Sequence, residues 1–135
     1  MTDLDCVLET FQRAGERAGD ITTSVYEHYF TRCPESRQLM VLVDQYMRGR
    51  MLERVLELLM AEAYDDERSY LEFETRMHAS YGVLPHMYNN LLLGVRDAVR
   101  GALADDWNTA HEAAWKNRLA LLTAEIHAAP SRTDC

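Results

Sequence analysis

The chain is poor in the residues that mark several special classes of protein. Among its 135 residues there are three cysteines, six glycines and three prolines, and they form no cluster. The cysteines, Cys6, Cys33 and Cys135, are odd in number, widely spaced and without a CxxC pair. This pattern argues against a disulfide framework and favours a reducing cytoplasm. Since no segment resembles a linker or a repeat, we expect one cytoplasmic domain over residues 1–135.

Positive charge and long apolar runs are also lacking. Lysine and arginine number 14 against 22 aspartates and glutamates, which gives a net charge of −8 at pH 7. Nucleic-acid phosphates and anionic lipids repel such a chain, so neither is an expected partner. No segment reaches the roughly 20 apolar residues of a membrane-spanning helix, and the charged N-terminus is unlike a secretory signal. We therefore expect no contact with a membrane.

Apolar residues at helical spacing are, by contrast, abundant. They recur every three or four residues in most segments, whereas the alternation typical of strands is nearly absent. The segments predicted to be helical are 3–19, 21–33, a short stretch after Pro34, 43–63, 69–82, 85–103 and 109–128. Six or seven helices of such unequal length do not fit a regular four-helix bundle. The sequence thus predicts an all-α domain of another kind.

Local signals indicate where these helices begin and end. Asp20 is suited to cap the second helix, and Pro34 should end it. Capping boxes at residues 69–72 and 109–112, each a serine or threonine followed by a glutamate, predict the starts of two further helices. Pro130 should end the last helix. Each boundary is therefore predicted from a specific side chain.

His78 is the candidate metal ligand of the chain. It is predicted to lie near the end of a helix, before a turn at Gly82 and a new helix that begins at Pro85. Imidazole is the commonest metal ligand in proteins, and it needs a partner on its second ring nitrogen. Tyr88 is placed to supply that partner through its phenol, unless a backbone carbonyl does so. On these grounds alone, a packed or partly exposed histidine is the commoner outcome.

Other catalytic and metal-binding patterns are missing from the sequence. The remaining histidines are His28, His86, His111 and His127. No pair of histidines and no group of His, Cys, Asp and Glu has the spacing of a zinc site. Neither a serine elbow nor a glycine-rich phosphate loop is present. The sequence therefore gives little support to chemistry by side chains alone.

Three segments match a known family in the same order along the chain. The run HASYGVLPHMY from His78 to Tyr88 has histidine, serine, an aliphatic residue, proline and tyrosine at defined offsets. Val25–Phe30 followed by Cys33–Glu35 is the second segment, and Ala114–Trp115 is the third. Together they resemble bacterial single-domain globins and the globin half of flavohaemoglobins. The resemblance extends from about residue 4 to residue 128. It implies a globin fold of six to seven helices around a haem pocket.

The same resemblance implies roles for individual residues. His78 would be the iron ligand, and Tyr26 would be the distal hydrogen-bond donor to a gas ligand, unless it is a core tyrosine bonded to backbone. Arg48 would be the gate residue of the distal helix and Leu52 the aliphatic residue packed over the ligand. The alternative interpretation of Arg48 is a solvated side chain on the surface. The alternative register places Met47 and Met51 in the pocket instead.

Further haem contacts are implied for Val83, Tyr88 and Leu91. Met40 stands where the family has a phenylalanine that wedges against the haem, and methionine fills that space less rigidly. Flavohaemoglobins also carry a glutamate late in the last helix, beside the proximal histidine. The matching position here falls near Pro130, and Glu125 is the nearby acid.

The implied function is reversible binding of dioxygen, carbon monoxide and nitric oxide for storage, transport or sensing. The haem would be b-type, because the chain has no CxxCH motif for covalent attachment. Two alternatives remain open. One is an enzyme, a nitric oxide dioxygenase or pseudo-peroxidase served by a separate reductase, and the other is a haem-based sensor or interaction domain. An enzymatic role is the less favoured, and a homodimer is left open.

Overall fold

The computed structural model describes residues 2–132, with side chains as far as Ala129. Within that range the chain forms seven α-helices and one 3-10 turn, with no β-strand, so the all-α prediction is confirmed. The helices are α1 (Asp3–Ala18), α2 (Thr22–Arg32), α3 (Glu35–Leu39), α4 (Gln45–Leu59), α5 (Arg68–Ser80), α6 (Pro85–Leu103) and α7 (Thr109–Arg132). None of the described helices combines the length and apolar character that crossing a membrane requires. Cys135 lies outside the described residues.

Most of the predicted helix boundaries are confirmed by the backbone. The Asp20 carboxylate accepts the backbone N–H of Thr22 at 2.9 Å at the start of α2. α2 ends before Pro34, and α6 begins at Pro85. Gly82 adopts a φ of +93°, which lies in the left-handed region that favours glycine. These residue types therefore act locally, as expected.

Three side chains or boxes predicted to begin or end helices do not do so, although α5 and α7 start at or within one residue of the predicted positions. α5 begins at Arg68 without a side-chain cap, so the box at residues 69–72 lies inside the helix. At the start of α7, Asn108 and His111 cap each other: Asn108 Oδ1 accepts the N–H of His111 at 2.9 Å, and His111 Nδ1 accepts the N–H of Asn108 at 3.1 Å. This reciprocal pair takes the place of a box at residues 109–112. Pro130 does not end α7, whose backbone stays helical to residue 132.

α6 is the central helix of the packing. It contacts α1, α2 and α7, while α7 also contacts α1, α4 and α5. The centre of the core is formed by side chains that are fully buried: Leu59, Val95, Val99, Leu103, Trp115 and Leu122. Trp115 is not left unsatisfied there, because its indole N–H donates to the Thr10 hydroxyl at 2.9 Å.

Polar side chains fix the helices that surround a cavity. Arg118 of α7 is buried and donates to the carbonyls of Leu59 and Ala61, at 2.6 and 2.8 Å, at the end of α4. Arg32 of α2 donates to the Asp97 carboxylate of α6 at 2.7 Å. These bonds satisfy buried polar groups and hold α2, α4 and α6 in place around the site described next.

Candidate binding cavity

A cavity of about 630 Å³ lies among α2, α4, α5, α6 and α7. This volume is within the range of about 300–1,000 Å³ that is usual for small-molecule and cofactor sites. Most of the side chains that line it are apolar. They include Met51, Val55, Leu58, Leu71, Leu92, Leu122 and Ile126. Such a lining favours a large apolar ligand that is oriented by a few polar groups.

The cavity opens to solvent beside α3 and the start of α4. Leu39, Tyr46 and Met47 line it and are also exposed, with Tyr46 exposed to 73%. Leu42, in the turn between the two helices, is exposed to 96%. A ligand therefore has a route to the cavity past apolar side chains.

His78 lies in the last turn of α5 and lines the cavity. Its backbone carbonyl accepts the N–H groups of Tyr81 and Val83, both at 3.0 Å, which fixes the turn that follows. Its imidazole Nδ1 is buried and has no hydrogen-bond partner among the described residues. A buried polar atom without a partner costs about 1–3 kcal/mol, so the side chain is suited to a polar or metal partner.

Tyr88 lines the cavity beside His78. The two ring centroids are 6.2 Å apart and the rings meet edge to face. The expected hydrogen bond between them is not formed, since the Tyr88 hydroxyl is also buried and has no partner within the described part of the chain. Burial raises the pKa of Tyr88 to about 12, so the phenol is neutral and keeps its proton. Two polar groups therefore lie together, unpaired, in one wall of an apolar cavity.

Tyr26 lines the cavity from α2 and is almost fully buried. Burial raises the pKa of its phenol to about 12, although the nearby charge of Arg48 opposes the change. The hydroxyl donates to the backbone carbonyl of Arg48 at 3.1 Å. This bond is the one expected of a core tyrosine, which the sequence left open as an alternative. The same side chain also lines the cavity.

The α4 residues that line the cavity include Met47 and Met51 but neither Arg48 nor Leu52. Leu52 is buried beside a different hollow of about 390 Å³, which is also lined by Phe11 of α1. Both pairs have the spacing of four residues, so the sequence cannot choose between two adjacent helical rows.

The Arg48 side chain turns away from the cavity toward neighbouring protein groups. Its Nη2 donates to the carbonyl of Met40 at 3.2 Å, and its guanidinium lies 5.3 Å from the centre of the Phe30 ring. Its Nε is buried and meets no hydrogen-bond partner among the side chains and backbone that the structure describes. Arg48 is therefore neither a lining residue nor a solvated surface side chain.

Six of the eight predicted site residues line the cavity. They are Tyr26, Met40, His78, Val83, Tyr88 and Leu91. Met40, which stands in the position expected of a phenylalanine, is buried and packs with Tyr26, Tyr29 and Phe30. The two exceptions, Arg48 and Leu52, both belong to α4.

Sequence reasoning missed four further polar residues of the lining. Arg50 and Arg54 of α4 and Glu74 and Thr75 of α5 all lie there. Arg54 Nε donates to Glu74 at 2.9 Å, so these two helices are joined across the cavity wall. Thr75 lies three residues before His78, and Arg50 lies four residues before Arg54, so the members of each pair share one face of their helix. Once the register of α4 is known, this spacing predicts that these polar residues line the cavity.

The late acidic residue Glu125 has a defined partner. Its carboxylate accepts two hydrogen bonds from the Arg68 guanidinium, at 2.9 and 3.2 Å. This bidentate pair joins α7 to the start of α5. The acid is therefore engaged at the opposite end of α5 from His78.

Comparison with protein-family models gives no match, and no curated protein is similar enough to this chain to count as a relative.

Proposed function

We propose that this protein is a globin-type haem protein that reversibly binds dioxygen, carbon monoxide and nitric oxide. The observation that carries the proposal is the position of His78 in the wall of a large, mainly apolar cavity, with a buried imidazole nitrogen that has no partner among the residues described. An imidazole in that position is available as a metal ligand. Haem, when bound, supplies the iron centre at which diatomic gases bind.

The residues around the cavity fit a haem in their chemistry. Met40, Val83 and Leu91 supply apolar surface for a flat apolar ring. Arg50 is an exposed cation of the lining and is suited to the carboxylates that such a ring carries, whereas Arg54 is paired with Glu67 and Glu74. Tyr26 is a neutral and almost fully buried phenol, so its O–H is a donor that favours a polar diatomic ligand.

The order of the helices also supports the proposal. Seven helices of unequal length, with a short third helix after Pro34, agree with what the resemblance implies. His78 comes at the end of α5, just before the turn that leads to Pro85. The run from His78 to Tyr88 therefore covers the end of one helix, a turn and the start of the next helix, as the resemblance implies.

Binding of gases is better supported than peroxidase-like catalysis. That chemistry needs an acid that polarises the proximal histidine. Glu125 is paired with Arg68 at the other end of α5, and Glu74 of the lining is paired with Arg54. Storage, transport and sensing all use reversible binding. A dioxygenase reaction would in addition need electrons from a separate reductase.

The first test is a titration of the purified protein with haem. We expect one haem per chain, with a Soret band that shifts on reduction and again on addition of carbon monoxide. His78→Ala should remove most haem retention, because it removes the side chain that would hold the iron. His86→Ala and His127→Ala are the matched controls, since both histidines are exposed and neither lines the cavity.

Two results would contradict the proposal. One is a native protein that gives no Soret band at any ratio of haem to chain. The other is a His78→Ala variant that folds and still gives the native ferrous spectrum, which would mean that another side chain holds the iron. Circular dichroism of each variant shows whether the helical fold is intact.

A further inference from the structure

Three side chains with metal-binding donor atoms meet outside the cavity, where the turn between α2 and α3 touches the start of α6. They are Cys33, Glu35 and His86, whose donor atoms all lie within 4.8 Å of one another. His86 Nε2 is 2.6 Å from Glu35 Oε1, although the two residues are 51 positions apart in the chain. Sequence spacing gave no sign of this group, because the fold assembles it from two distant segments.

We propose that Cys33, Glu35 and His86 form a binding site for one divalent transition-metal ion of the zinc class. Solvent would complete the coordination. The proposal does not depend on haem, because none of the three residues lines the cavity.

The chemistry of the donor set indicates which ion fits. Thiolate, imidazole and carboxylate are the three ligand types that zinc binds in proteins. Calcium and magnesium bind oxygen ligands and are disfavoured by a sulfur donor. Three protein ligands leave a fourth tetrahedral position open, so the bound ion would keep access to water.

The three donors differ in mobility in a way that suits capture of an ion. The Cys33 side chain is buried, with only 1% of the residue exposed, and so is fixed. The side chains of His86 and Glu35 are about half exposed, at 49% and 52%. Tetrahedral zinc with bonds of about 2.0 Å holds its nitrogen and oxygen ligands about 3.3 Å apart. The 2.6 Å pair therefore has to open by less than about 1 Å, which two exposed side chains can do by small rotations.

Surrounding groups support the buried sulfur as a ligand. The Ser36 hydroxyl donates to Cys33 Sγ at 3.2 Å, and a donated hydrogen bond stabilises a thiolate. The turn is also held by its backbone, because the N–H of Ser36 donates to the Cys33 carbonyl at 3.0 Å. Cys33 and Glu35 are thus presented in a fixed relation, separated by Pro34, before His86 reaches them from α6.

The test begins with zinc binding by the full chain. A variant carrying Cys6→Ser and Cys135→Ser leaves Cys33 as the only cysteine and serves as the background. Equilibrium dialysis against Zn²⁺ should give one ion per chain in this background. Glu35→Gln and His86→Ala should each weaken binding about tenfold or more, because each removes a ligand at an exposed position without disturbing the core. His127→Ala, another exposed histidine, should leave the affinity unchanged.

X-ray absorption at the zinc edge identifies the ligands and is not affected by iron. We expect one sulfur neighbour at about 2.3 Å together with nitrogen or oxygen neighbours at about 2.0 Å. The same background with Cys33→Ser should lose the sulfur neighbour. The proposal is overturned if the bound zinc has no sulfur neighbour, if Glu35→Gln and His86→Ala bind zinc as tightly as His127→Ala, or if no zinc binds.

Discussion

Tyr26 and Tyr88 are both buried phenols in the wall of the cavity, but their hydroxyl groups differ in their surroundings. Burial raises the pKa of each to about 12, so both are neutral O–H donors at any ordinary pH. The Tyr26 hydroxyl already donates to a backbone carbonyl, at 3.1 Å, whereas the Tyr88 hydroxyl has no partner in residues 2–129. A gas ligand therefore has to compete with that carbonyl for the proton of Tyr26.

We predict that Tyr26→Phe speeds release of dioxygen by one to two orders of magnitude and changes release of carbon monoxide much less. A hydrogen bond to a strongly polar acceptor in a dry site contributes about 1.5–3 kcal/mol, and about 1.4 kcal/mol is a factor of ten in rate. Carbon monoxide is less polar and gains less from the phenol. Stopped-flow release rates of both gases make the comparison. Arg48→Leu is the second variant, since Arg48 does not line the cavity.

The raised pKa of Tyr26 adds a dependence on pH to this prediction. Because the phenol stays protonated well above its ordinary pKa of about 10, the rate of dioxygen release by the native protein should stay flat from pH 7 to pH 10. Equal and small changes for both gases in Tyr26→Phe would mean that the hydroxyl serves the Arg48 carbonyl alone. In that case the distal donor lies elsewhere in the cavity.

At the scale of elements, the close approach of α2 and α6 depends on one glycine. A Cβ atom on Gly94 would lie 3.1 Å from the Val25 carbonyl oxygen and 3.2 Å from the Tyr29 nitrogen. Both neighbours are backbone atoms of α2, which cannot rotate aside. Since Tyr26 and Tyr29 line the cavity from the same helix, this contact also sets the position of one cavity wall.

We predict that Gly94→Ala destabilises the fold by about 1–3 kcal/mol, which is the usual cost of overpacking a tight contact. Gly101→Ala in the same helix is the matched control. A Cβ there meets nothing within 4 Å, so the gain in helix propensity of up to about 1 kcal/mol should appear undiminished. Urea unfolding measures both. If the two variants were equally stable, α2 and α6 would not be in the contact described.

At the scale of the whole molecule, Asp97 is a buried acid that links two helices. Its side chain is 8% exposed and accepts from Arg32 at 2.7 Å and from Arg96 at 3.0 Å. Burial alone would raise the pKa of this carboxyl, but the hydrogen bonds and charges of the two arginines outweigh it and lower the pKa. A carboxyl whose pKa is lower in the folded state stabilises the fold above its unfolded pKa.

We predict that the stability contributed by Asp97 is full above about pH 4 and is lost as the pH falls through its lower folded pKa. Asp97→Asn should cost about 1–3 kcal/mol at pH 7, because it weakens charged hydrogen bonds to a buried group. Below about pH 4 the unfolded carboxyl is protonated first, so the native protein and the variant should converge as the pH falls on through the lower folded pKa of Asp97. Urea unfolding at several pH values measures this.

Asp106→Asn is the control for the acid dependence. Arg17 lowers the pKa of Asp106 too, but that pair is exposed. A surface pair contributes little, so the change at pH 7 should be smaller than for Asp97→Asn. A native protein whose stability does not fall relative to Asp97→Asn between pH 4 and pH 2 would contradict the proposed role of Asp97.

The sequence by itself determined the helical class and many of the helix ends. Asp20, Pro34, Gly82 and Pro85 act through their own backbone preferences and nearest neighbours, so their effects can be predicted without the fold. It also predicted that His78 would lie near the end of a helix, because the preceding helical row and the following glycine are local signals.

The tertiary structure alone decided which side chains meet. α4 presents Met47 and Met51 to the cavity, and neither Arg48 nor Leu52 lines it. No spacing in the sequence predicted the group of Cys33, Glu35 and His86, because His86 comes from a segment far along the chain from the other two. The physical reason is common to these cases. Helical periodicity fixes rows of side chains, but the rotation of each helix about its own axis is set by packing against helices far away in the sequence.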